Sequence, residues 1–236
     1  MNLITRFSFA AVLAAAVTFA GCAKDPSKEV PAAKVEAAAP AAEAAAAPAA
    51  APAAAPAEAK VEAAAAAPAA AAIALSGDVL FTGSKVTASH ECKFTEWKGN
   101  FEPADGKAEG GKLSFEVDTA SVVADYKAPT DWSKKLEGHF KSEDFFHVEK
   151  YRKATFASTR IVTGGADGAT HTVNGKLTIR GVTKDVSFPA TIKLDGGKVD
   201  ASAKFSINRK DFGIEYPGKA DDLIRDGVVL EIHAKG

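Results

Sequence analysis
The sequence predicts an all-β fold: about eight antiparallel strands in one sheet closed into a barrel, interrupted by a short helical excursion. Three observations predict it. From Ile73 to the C-terminus apolar residues recur at alternate positions in run after run, the period of a strand with one buried face. Glycine-containing turn signals separate the runs, as short antiparallel connections require. The period changes once, between Asp131 and Val148, where helix and turn signals replace alternation.

The chain before Ile73 is of another kind. Of the 236 residues 47% are apolar, but much of that is alanine lying before residue 73. Setting aside the first 72 leaves 164 residues, enough for one substantial core. Arg6 and the apolar run Phe7 to Phe19, ended by Ala20-Gly21-Cys22, read as a signal peptide over residues 1–22. The run is too short to span a bilayer. It resembles a bacterial lipoprotein signal, which implies acylation of Cys22. Ala23 follows the cysteine, and by the same resemblance the membrane is the outer one, with the protein facing the periplasm. Residues 23–72 are nearly all alanine, proline, glutamate and lysine, holding seven of the 11 prolines and no aromatic residue. Such a segment builds no core of its own, so a disordered tether is expected. Extended at about 3.1 Å per residue, it would reach roughly 150 Å.

Residues 73–236 form the barrel domain. Val79 to Phe81 opens it. Ala88, His90, Cys92 and Phe94 share a face, and Trp97 and Phe101 continue an apolar strand in which Gly99 marks an expected bulge or bend. A turn is expected at Gly110-Gly111. Leu113, Phe115 and Val117 alternate against Ser114, Glu116 and Asp118. Asp131 can cap a short helix carrying Trp132 and Leu136, broken at Gly138 and His139. Ser142, followed by Glu143 and Asp144, reads as the N-cap of a second short helix. That helix would deliver Phe145 and Phe146 to a strand running from Ala154 to Thr163. After Gly164-Gly165 come Val173, Gly175, Leu177 and Ile179, then Val186, Phe188, Ala190, Ile192 and Leu194. Asp195-Gly196-Gly197 is a hairpin signal, followed by Val199, Ala201, Ala203, Phe205 and Ile207. Val228, Leu230, Ile232 and Ala234 close the series.

Periodicity leaves the interior open between two readings. Gly175, Ala190, Ala201 and Ala203 are small inner residues, which favours room for one slender ligand, while an ordinary filled core fits the same alternation. Three motifs then carry a resemblance. GHFKSEDFFHVEKYRKATF, NGKLTIRGVTKDVSFPATI from Asn174 to Ile192, and FSINRKDFGI from Phe205 to Ile214 resemble, in order and spacing, those of the YceI-like family. The resemblance implies a lipocalin-like barrel in a secreted bacterial protein, with an apolar tunnel for a polyisoprenoid or another long-chain lipid. Arg152, His147 and Cys92 depart from the family's usual proline, aspartate and glycine.

Other chemistry finds little support in the sequence. Five of the 29 basic and six of the 30 acidic side chains precede residue 73, leaving 24 of each. That balance gives no electrostatic footprint for nucleic acid or an anionic surface. His139 and His147 flank Glu143 and Asp144, yet eight residues across a break is not the pairing that puts two imidazoles on one helical face. No nucleophile motif or phosphate loop is present, so no catalytic residue, metal or cofactor is expected. Cys92, beside Phe94 on an apolar face, is expected to be buried. Arg209 suits a carboxylate partner that fixes the end of its strand. The expected tunnel lining is Phe94, Trp97, Phe101, Phe115, Phe156, Leu177, Ile179, Phe188, Phe205 and Ile207, with Phe140, Phe145 and Phe146 closing one end. Two functions stand: a lipid-binding protein anchored to a membrane through Cys22, and a filled-barrel interaction module of the envelope without lipid. No oligomeric state is legible.

Overall fold
The computed structural model describes residues 24–37 and 72–236. The expected signal peptide, with Cys22, and most of the expected tether lie outside the described residues. In chain order the elements are β1 (Lys34–Ala37), β2 (Ile73–Ser84), β3 (Ser89–Phe94), β4 (Trp97–Ala104), β5 (Lys107–Asp118), β6 (Val122–Ala124), α1 (Asp131–Lys141), β7 (Lys153–Thr163), β8 (His171–Ile179), β9 (Val182–Asp195), β10 (Lys198–Asn208), β11 (Gly218–Lys219), β12 (Asp222–Leu223) and β13 (Gly227–Lys235). Eight of them close an antiparallel barrel. β13, β10, β9, β8, β7, β5, β4 and β2 follow one another, and β2 pairs back onto β13. Closure removes the exposed edges that an open sheet would present.

On the edge away from β13, β2 serves two partners because it bends. Ile73–Leu75 pair with β4, and Val79–Ser84 pair with β3. Between them Gly77 has φ +136, and a side chain there would meet the His233 carbonyl oxygen at 2.1 Å. Only glycine fits that conformation and that approach. Inside the barrel the alternation predicted from sequence holds: Phe81, Phe94, Phe101, Phe115, Phe156, Phe188 and Phe205, from seven strands, are all buried.

Local expectations are corrected at four places. Gly99 makes no bulge. It pairs in register with Phe115, and its missing side chain leaves room for the Phe115 and Trp97 rings, each 2.9 Å from where a Cβ would stand. The register shifts instead between Glu102 and Ala104, across Pro103, which has no N–H for the ladder. Gly110 and Gly111 lie within β5. The turn is Asp105-Gly106, at φ +50 and +72, the two left-handed residues of a tight hairpin. α1 runs through Gly138 and His139 without a break, started by a capping box between Thr130 and Ser133. Ser142 ends that helix, its N–H donating to the His139 carbonyl at 3.1 Å, and no second helix follows; residues 143–146 form a turn.

The largest correction concerns the tether. β10 pairs with β9 through Lys198–Ser202 against Thr191–Asp195; toward the other end the two strands part. Residues 31–37 fill that seam. β1 pairs antiparallel with Lys184 to Ser187 of β9. The Ala33 N–H donates to the Ser206 carbonyl (2.8 Å), and the Ser206 N–H donates to the Pro31 carbonyl (2.9 Å). Ala33 and Val35 pack against the core. Upstream, a 3-10 turn at Pro26–Lys28 is N-capped by Asp25 and lies against β13 and β10. Arg225 donates from Nη1 to the Lys24 carbonyl (3.2 Å), with its Nε 3.7 Å from Asp25. Residues 24–37 are therefore part of the barrel wall. Composition correctly says that they cannot build a core, but a strand edge with unpaired backbone groups gives them one to complete.

Candidate ligand-binding site
The barrel encloses two adjoining apolar cavities. The larger, about 150 Å³, lies at the end where α1 packs and is lined by side chains that include Phe81, Phe94, Phe140, Phe145, Phe146, Phe156, Leu177, Ile179, Ile207 and Phe212. The smaller, about 60 Å³, lies deeper and is lined by residues that include Leu113, Phe115, Phe156, Leu177, Phe188, Ala190, Ala203 and Phe205. Phe156, Leu177, Leu230 and Ile232 border both, so the two form one channel narrowed at that level.

Of the thirteen side chains that the sequence assigns to the tunnel, eleven line one cavity or the other. Trp97 and Phe101 do not. Trp97 packs on Phe115, ring centroids 5.6 Å apart, with its indole N–H donating to the Gly77 carbonyl. Phe101 is packed solid in the wall at 1% exposure. The lining also includes residues absent from that assignment: Val79, Phe81, Leu230 and Ile232, which alternate on their strands, and Phe212, Ile214 and Ile224. The last three sit in the aperiodic stretch 209–225, where no hydrophobic period marks an inward face.

Phe140, Phe145 and Phe146 form a plug. Phe140 is edge-on to Phe81 (5.4 Å between centroids) and to Phe145 (5.3 Å), and Phe146 is edge-on to Phe81 and Phe94 (5.9 and 5.8 Å). The Phe146 N–H donates to the Phe140 carbonyl at 2.9 Å, which folds the turn back over the helix end. Deeper, Phe188 and Phe205 stack with centroids 4.1 Å apart. Edge-to-face and offset contacts of this kind fix ring orientation.

The buried arginine at the mouth of the channel is already committed. Arg209 is buried, and donates to the carbonyls of Ile214 (2.6 Å), Arg225 (3.1 Å) and Ile224 (3.3 Å) and to Asp226 (3.2 Å). Burial lowers its pKa, an effect that Asp226 opposes. Its fork ties residues 209–226 around the mouth of the barrel, and Asp226 is the carboxylate partner that the sequence led one to expect. His139 bonds Asp144 at 2.9 Å, while His147 stands 3.6 Å from Glu143. Among the described residues no group of three or more His, Cys, Asp or Glu side chains could hold a metal. His90 binds Asp125 at 3.0 Å, and Asp125 accepts from the Ser133 hydroxyl at 3.0 Å. Both polar side chains bond the same carboxylate, so this is an anchor for α1 and not a relay from hydroxyl to imidazole.

A closed antiparallel barrel whose interior is an apolar channel, stopped at one end by aromatic side chains, defines a barrel of the lipocalin-like class, suited to holding an apolar guest. The chain belongs to the YceI-like domain family, whose model matches residues 54–236. Residues 24–37 lie upstream of that match. The chain is 34% identical over 146 residues to a UPF0312 protein of Pseudomonas fluorescens (strain SBW25), covering 58% of this chain and 70% of that one. A UPF0312 protein of Pseudomonas syringae pv. tomato is 30% identical over 144 residues with the same coverage. Among solved structures, Burkholderia cenocepacia BcnA superposes with a TM-score of 0.54 at 23% identity, over 67% of this chain and 96% of that one; the likeness is one of fold.

Proposed function
We propose that this protein is a lipid-binding protein of the bacterial cell envelope, anchored through acylated Cys22 and facing the periplasm from the outer membrane. Its barrel channel would hold a polyisoprenoid or a similar long-chain lipid. It works by binding, without catalysis. The observation that carries this reading is the channel lining, which is apolar except for Thr155, Ser202 and the two arginines of the rim. Each methylene buried there contributes about 0.8 kcal/mol, so a long chain needs few polar contacts to bind tightly.

The volume adds a condition. A cavity of about 150 Å³ holds a ring-sized apolar group, so a long chain fits only if the plug phenylalanines swing aside and the neck between the two cavities, at Phe156, Leu177, Leu230 and Ile232, widens. The same volume favours the second reading, a filled barrel that serves as an envelope interaction module. Native mass spectrometry and solvent extraction of the protein purified from its own cell type separate the two. A co-purifying long-chain lipid at near one per barrel is expected. Protein that carries none, and takes none from lipid vesicles, would leave the filled barrel.

A further inference from the structure
Among the described residues two large apolar side chains are exposed, Trp132 at 60% and Leu223 at 49%. A single such side chain needs no explanation. These two share one end of the barrel. Trp132 lies in the first turn of α1, which Ser133 ties to Asp125 and thereby to His90 near the start of β3. Leu223 accepts through its carbonyl from the Val86 N–H (3.1 Å), in the turn between β2 and β3. This is also the end at which Phe140, Phe145 and Phe146 stop the larger cavity.

The N-terminal segment comes to the same end. Arg225, two residues after Leu223, holds the Lys24 carbonyl. Cys22 precedes Lys24 by two residues, a span of at most about 7 Å of chain. A tether free over its whole length would let the domain wander roughly 150 Å from its anchor, whereas the docking of Lys24 leaves only two residues of chain between the barrel's plugged end and an acylated Cys22. From this placement we infer that the plugged end rests on the lipid bilayer. Trp132 and Leu223 insert at the interface, and the mouth of the channel faces the membrane leaflet. The inference rests on the proposed acylation of Cys22 and gives the lipid-binding reading a route by which guest and membrane exchange.

The chemistry fits an uncharged interface. Tryptophan favours the headgroup level, where its ring is half apolar and its N–H stays solvated. Lys134 and Lys135 beside Trp132 are exposed and can lay their stems on the surface with the ammonium groups in water. Asp131 in α1, Glu143 and Asp144 in the turn after it and Asp221 just before β12 are exposed too, so docking through apolar insertion should depend little on salt.

The test uses the full-length protein purified from membranes and carrying Trp97→Phe, which leaves Trp132 as the single tryptophan. The protein is placed in phosphatidylcholine vesicles with bromine on the acyl chains. Trp132 emission is expected to shift to shorter wavelength and to lose most of its intensity relative to unbrominated vesicles. Emission unchanged by bromine would overturn the docking. An acylated Trp132→Ala/Leu223→Ser variant should stay with the vesicles and keep its lipid occupancy in detergent, yet take up lipid from vesicles several-fold more slowly; an unchanged uptake rate would overturn the route. The two readings fail separately. A quenched Trp132 with no lipid in the barrel keeps the docking and sinks the lipid function, whereas a lipid-loaded barrel with unquenched Trp132 does the reverse.

Discussion
Cys92 has no exposed surface, and burial pushes its thiol from the ordinary 9.0 up to about 12, helped by the negative field of Asp125, Glu137 and Glu91 and opposed by a backbone hydrogen bond from Asp125. The folded state thus holds the proton more tightly than the unfolded chain. The corresponding stability is complete below about pH 9 and is lost as pH rises toward about 12. The unfolding midpoint should therefore fall over that window, and Cys92→Ala should flatten the fall; equal slopes for both proteins would contradict the burial. Native protein should also resist a thiol reagent that modifies it fully once unfolded. Burial of Cys92 was legible, because it alternates with Phe94 on an apolar strand. So was a carboxylate partner for Arg209. Trp97 and Phe101 mark the limit: alternation assigns a side chain to a face of the sheet, but not to a height along the barrel, and two inward aromatic rings can be used up in sealing the wall.

At the scale of elements, the strand formed by residues 34–37 is the one that composition concealed. Lys34-Val35-Glu36-Ala37 alternates, but four residues in an alanine-rich run carry too little signal to stand out. Its partner edge exists only because β9 and β10 part, which is a property of the folded barrel. Removing residues 24–37 should leave a folded domain with a lower unfolding midpoint, by about 2–4 °C for each kcal/mol lost in a domain of this size. Amide exchange should quicken at Ser206 and at those amides of residues 184–187 that face β1, while the amides facing β8 stay paired. Exchange as slow as in the whole protein would show that the segment does not occupy the seam in solution. Turns divide by the same logic. Asp195-Gly196-Gly197 was legible because it stands between two long alternating runs. Asp105-Gly106 offers the residue pair that a two-residue hairpin needs, yet the consecutive glycines at 110 and 111 suggested a turn more loudly. In the fold they are strand residues, Gly111 lying so close to the Glu102 carbonyl that a Cβ would meet it at 2.8 Å.

For the whole molecule, the all-β barrel was legible because every strand repeats one instruction, apolar residues inward, and closure follows from having enough strands and no unpaired edge. Whether the interior is a channel or a filled core was not legible, since both satisfy the same alternation and differ only in how far the rings reach. The deeper cavity is where an experiment can tell them apart. Ala190 and Ala203 both line that space of about 60 Å³, so Ala190→Leu together with Ala203→Leu adds methylenes where the channel has room for them. If a lipid chain threads from the plug to this level, the double variant should lose bound lipid, while its unfolding midpoint stays close to that of the parent. A tightly filled core answers differently, because overpacking costs about 1–3 kcal/mol and would lower the midpoint whatever happens to lipid. Measuring lipid occupancy by native mass spectrometry and the midpoint by thermal denaturation on the same samples makes the comparison direct. Lost stability with unchanged lipid would place the ligand elsewhere and leave the barrel interior as packing alone.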